Sequence, residues 1–85
     1  MDGRLFINEA KHRLAAHLYP GRQNNELFMR SEMGGMYVVW LSKIGQNNKC
    51  LLGMSGSDDY FEISYFGDEK EFVLDHYTLK KHLYI

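Results

Sequence analysis

Met36-Tyr37-Val38-Val39-Trp40-Leu41 is aromatic, β-branched and apolar throughout, the composition of a β-strand. The residues after it repeat the theme. Gly45-Gln46-Asn47-Asn48 has the make-up of a hairpin turn, 49–54 reads as the next strand, 55–59 as another turn, and Tyr60-Phe61-Glu62-Ile63 as the strand after that. Upstream, Glu26-Leu27-Phe28-Met29-Arg30 is a short apolar run ending in a cation. It does not alternate, so it reads as a strand covered on both faces, with 31–35 and its paired glycines as a turn. Earlier still, Ala10, Leu14, His17 and Leu18 share a helical face, with Asn8 as N-cap and Pro20-Gly21 as the stop. Downstream, Gly67-Asp68-Glu69 opens a second helix whose acidic first turn suits the helix dipole. Phe72, Val73, His76 and Tyr77 form its inner face. The tail from Thr78 fits either a helix or a strand. The expected order is helix, four strands, helix: an α+β fold, a central antiparallel sheet flanked by two α-helices.

The bulk properties bound the function. The chain has 85 residues, enough for a single domain, 1–85. Hydrophobic residues make up 45% and charged residues 25%, a globular balance. A formal net charge of -1 carries no basic excess, so a nucleic-acid partner is not expected. Cys50 stands alone and cannot close an internal disulfide, which points to a reducing compartment. The first ten residues lack the shape of a signal peptide, and no stretch approaches the ~20 apolar residues of a membrane span. The expectation is a cytoplasmic monomer, in the host cytosol for a pathogen effector, with no membrane partner and no cofactor.

Arg30 is the residue whose chemistry stands out. At the end of a central strand its guanidinium is costly unless paired. Arginine suits a planar, two-pronged grip on phosphate, and the loop that follows offers a hydroxyl and backbone N–H groups that can form an anion-binding concavity. The plainer reading is that Arg30 pairs with Glu32 or Glu62, or leaves the sheet into solvent. On spacing alone the plainer reading is the stronger.

A resemblance shifts that weighting. Residues 26–32, followed by Gly35-Met36-Tyr37, look like the signature of Src homology 2 domains: a Phe-Leu-Val-Arg-type strand, a Ser/Glu loop, then Gly, a small residue and Tyr. Gly3, Ala10 and Leu14 resemble that family's opening helix, and Val73-Leu74-Asp75-His76-Tyr77 resembles the end of its second. The resemblance implies a phosphotyrosine-peptide binding module. Arg30 holds the phosphate, Ser31, Glu32, Met33 and Gly34 complete the cradle, Lys49 assists, and Cys50 and Leu51 lie beside the peptide. The sequence departs from the pattern in several places. Ile7 stands where the family has a second arginine, Lys49 where it has histidine and Leu51 where it has lysine, and Ser31 comes one residue early in a shortened loop. The short segments 64–67 and 78–85 imply weak sequence selectivity.

Other candidates read as ordinary structure. His12, His17, His76 and His82 are not at metal-pair spacing and no cysteine cluster joins them. Tyr37 and Trp40 read as core, and Lys80-Lys81-His82 as a solvated face. No nucleophile–base pairing points to an enzyme. The alternative to phosphotyrosine binding is a degenerate domain, or a small α+β adaptor or inhibitor, that binds a protein partner without it.

Overall fold

The structure, a computed structural model, describes residues 1–80 and 83–85. Lys81 and His82, from the basic run and the histidine set named above, lie outside the described residues. Among the described residues the elements are helix α1 (Gly3–Leu18), helix α2 (Glu26–Gly34) and strands β1 (Met36–Ile44), β2 (Asn47–Met54), β3 (Tyr60–Phe66) and β4 (Glu71–Tyr77). The strands form an antiparallel meander in the order β1-β2-β3-β4. The fold is α+β, two helices with an antiparallel sheet.

α1 begins earlier than Asn8. Asp2 caps it, its carboxylate accepting from the Arg4 N–H at 3.2 Å and so satisfying one of the free N–H groups of the first turn. Phe6, Ala10 and Leu14 repeat every four residues and, with Ala15, are fully buried, an apolar stripe of one helical face. The helix ends at Leu18 because Pro20 bars its predecessor from the helical region; Tyr19 has left it, with φ -129° and ψ 69°.

Two elements differ from the sequence expectation, and the reasons are physical. The run expected as a strand over 26–30 is the first half of α2. Asn25 caps it by accepting from the Phe28 N–H at 3.0 Å, and Glu26 sits in the first turn. Glu, Leu, Met and Arg are good helix formers, and the run holds no β-branched residue. Met29 is buried, Phe28 and Met33 pack against the same core, and Leu27 points away, 77% exposed. The segment expected as a second helix is instead a turn followed by β4. Lys70 closes the turn in the left-handed region at φ 54°. Beyond it Phe72 and Leu74 alternate with the exposed Glu71, Val73 and Asp75, the period of a strand.

Register fixes which residues share a face. Leu52 pairs with Phe61, Cys50 with Ile63 and Asn48 with Tyr65; across β3 and β4, Ile63 pairs with Leu74 and Tyr65 with Phe72. This set faces α1: Phe6 stacks on Phe72 with ring centroids 6.3 Å apart, and the Arg13 guanidinium lies 4.0 Å from the Phe72 ring centroid. The start of the chain is pinned to the same layer, the buried Asn48 donating through Nδ2 to the Met1 carbonyl at 3.0 Å. Both helices contribute to this one core, so the covering of both sheet faces that was expected for a buried Arg30 does not occur.

Candidate functional site

The opposite face of the sheet carries the alternate residues. Four rows run across it: Tyr37, Gly53, Tyr60, Tyr77; then Trp40, Leu51, Glu62, Asp75; then Ser42, Lys49, Ser64, Val73; then Ile44, Asn47, Phe66, Glu71. Tyr37 and Trp40, expected in the core, are 44% and 37% exposed, and Tyr60, Phe66, Val73 and Tyr77 are exposed with them. A β-bulge at Val39 lets Tyr37 and Trp40 share this face although three positions separate them.

The first row is organised by a glycine. A methyl on Gly53 would meet the Tyr37 ring, Cε2 standing 2.6 Å from it, so the ring lies flat over the strand where only glycine permits it. That places the Tyr37 hydroxyl in hydrogen-bond contact with Tyr60. This contact lifts the Tyr37 phenol above its ordinary range, with slight burial and the charges of Tyr60 and Asp58 acting the same way. At the end of the row Asp58, Tyr60, Tyr77, Thr78 and Leu79 line an open hollow of about 330 Å³.

The second and third rows set the charge. Glu62 and Asp75 are directly opposite each other, a like-charge pair that disfavours itself unless a cation intervenes. Lys49 reaches Glu62 at 3.4 Å. With Glu71 and Asp75, the four strands bring three carboxylates to this face against one ammonium among the described residues. Aromatic rings beside carboxylates are the surroundings in which a cationic group is held by charge and by ring quadrupole together.

The residues singled out from sequence are divided among three places. Arg30 is exposed on α2 and makes no ion pair or side-chain hydrogen bond among the described residues. It lines an open cleft of about 450 Å³ between the helices, shared with Asn8, His12, Glu26 and Met29. Ser31, Glu32, Met33 and Gly34 form the second half of α2. Their backbone N–H groups belong to helical bonds with residues four back, so the phosphate cradle implied by the resemblance is not formed. Glu32 instead hydrogen-bonds Tyr19, raising that phenol's pKa, with slight burial and the carboxylate's charge adding to the rise. Lys49 and Leu51 lie on the open face and are not brought to Arg30. Cys50 is fully buried under α1, which removes it from any peptide surface; burial pushes its thiol up to about 11. Ile7 is half-buried against the core.

A family model matches residues 7–84. The chain belongs to DUF6275, a family of unknown function. No curated protein and no solved structure matches it. In this member of the family, the residues that sequence reasoning missed are Tyr60, Glu62, Asp75 and Tyr77. The signal for them was the alternation of 48–53, in which Asn48, Cys50 and Leu52 face in while Lys49, Leu51 and Gly53 face out. Among the described residues no cluster of His, Cys, Asp or Glu is placed to hold a metal ion, and no helix is long and apolar enough to cross a membrane.

Proposed function

We propose that this chain is a non-catalytic interaction module that holds a basic segment of a protein partner on its open sheet face. The observation that carries the reading is the uncovered row of Tyr37, Tyr60 and Tyr77 beside the facing carboxylates of Glu62 and Asp75, with Lys49 the one cation on that face among the described residues. An exposed aromatic patch rimmed by charge is a recognition surface more often than an accident of packing, and rings such as Tyr and Trp are the anchors that interfaces use. Lysine or arginine side chains of the partner would supply the counter-charge that Glu62 and Asp75 share only in part, and would lie over the tyrosine rings. The test is a fluorescence titration with a labelled oligo-arginine peptide and an oligo-glutamate peptide of equal length. Wild-type protein binds the first and not the second. Tyr77→Leu and Glu62→Gln each weaken binding about tenfold or more, a loss near 1.4 kcal/mol. Equal binding of both peptides, or binding unchanged in both variants, refutes the reading.

A second reading, phosphotyrosine-peptide binding through Arg30, is favoured by a separate observation: Arg30 is an unpaired guanidinium sharing a cleft with His12. It is checked by titrating a phosphotyrosine peptide and its unphosphorylated twin against wild type and Arg30→Ala. Phosphate-dependent binding lost with Arg30 supports it; a folded protein that does not distinguish the peptides ends it.

A further inference from the structure

β1 is an edge of the sheet, nine residues long, and among the described residues no strand lies beside its outer backbone N–H and C=O groups. Six of its side chains, Tyr37, Val38, Val39, Trp40, Leu41 and Ile44, are between 37% and 77% exposed. The exposure is on both faces. Val38 and Leu41 point to the helix side, as their partners Leu52 and Cys50 do, yet remain partly exposed at the rim of the core. A long apolar edge of this kind is a template for another strand, and proteins that keep such an edge free blunt it with charge or proline. β1 holds one charged residue, Lys43, and no proline.

The other edge of the sheet is built differently. β4 carries Glu71 and Asp75 on one face. Paired antiparallel with a copy of itself about Val73, it would set Glu71 against Asp75 of the copy, a like-charge contact. β1 meets no such obstacle. The antiparallel register centred on Ser42 sets Trp40 opposite Ile44 and Leu41 opposite Lys43, so no lysine faces a second lysine. The bulge at Val39 interrupts the edge, so the straight part, residues 40–44, carries the pairing.

We infer that β1 pairs antiparallel with β1 of a second copy across a two-fold axis, joining two four-stranded sheets into one of eight strands. Trp40, Leu41 and Ile44 are the exposed apolar side chains of the straight part, and with the paired backbone between them they make an interface at the small end of the range, that of a weak dimer. The arrangement is self-complementary, as a closed two-fold dimer requires. It replaces the monomer expected from sequence and goes beyond the proposed function, since it holds whatever the open face binds. If both hold, the open faces of two copies form one continuous surface.

The experiment is light scattering after gel filtration between about 10 and 500 µM, the range in which a small interface populates. The expected mass is twice the 10.0 kDa of one chain. Ile44→Lys and Leu41→Lys, at exposed positions of the pairing segment, raise the dimer dissociation constant about tenfold or more while the circular dichroism spectrum stays that of wild type. Val73→Lys, on the open face of β4, leaves the dimer intact. A wild-type protein monomeric over the whole range overturns the inference. So does a dimer that survives both β1 variants, or one lost in Val73→Lys alone. If one β1 variant fails to fold, the other decides.

Discussion

Gly67 stands at the close approach of two turns, and replacing it by alanine tests the geometry at that end of the sheet. It follows β3, and its N–H donates to the Asn47 side-chain oxygen at 3.1 Å across the start of β2. A methyl group there would run into the Gln46 carbonyl oxygen and stand 2.8 Å from Gln46 Cβ. The obstacle is backbone, so no rotamer change relieves it, and the two turns must part by roughly 1 Å, an overpacking that costs about 1–3 kcal/mol. Losing glycine's freedom in the unfolded chain returns about 0.4–1 kcal/mol. The net loss of about 1–2 kcal/mol lowers the melting temperature of an 85-residue chain by roughly 5–15 °C. Thermal unfolding followed by circular dichroism reads it directly. Gly34→Ala is the matched control: it is helical and a methyl there meets nothing within 4 Å, so it gains about 0.5 kcal/mol and melts a few degrees higher. The reasoning is refuted if Gly67→Ala melts at or above wild type, or if the two variants shift in the same direction.

Other outcomes follow from the same structure. Leu14→Ala empties a fully buried site under the sheet and costs about 2–5 kcal/mol, a large share of the total for a domain this size; urea unfolding gives the value, and a loss under about 1 kcal/mol contradicts the packing. Asn25→Ala removes the cap on the Phe28 N–H and costs about 1 kcal/mol, with Asn25→Asp retaining most of it. Cys50, buried with its thiol pushed up to about 11, resists a thiol reagent at pH 8 until urea unfolds the chain. Because its folded pKa lies above the unfolded one, its share of stability is full below pH 9 and is lost as pH rises towards 11. Urea midpoints in Cys50→Ala fall less over that interval than in wild type, and equal slopes would count against the assignment.

The strands at 36–54 and 60–63 were legible because β-branched and aromatic residues there agree with both propensity and the turn chemistry between them. The helix at the start was legible from Ala10 and Leu14, though its cap was placed at Asn8 when Asp2 does the work. The failures have a shared cause. At 26–30 a five-residue apolar run is too short for periodicity to decide, and its lack of alternation read as a strand covered on both faces where Asn25 and four helix formers build a helix. At 71–77 the residues Phe72, Val73, His76 and Tyr77 sit at helical spacing, while Phe72, Leu74 and His76 sit at strand spacing; pairing with β3 chose the second. The site suffered more than the fold. Trp40 and Tyr37 read as core because a single strand does not reveal which of its faces a helix will cover.

Every strand of this sheet pairs only with its neighbours in sequence, and the Asn48–Met1 hydrogen bond, 47 positions apart, belongs to a different scale of separation. The kinetics should divide along that line. Hairpins between adjacent strands close over short loops with little entropy to overcome, whereas docking of α1 and the Met1 contact must span half the chain. The meander can therefore assemble in steps from either end and unravel the same way. Amide exchange on β1 and β4 should then run ahead of exchange on β2 and β3, which stay sealed until the first helix lifts from the sheet.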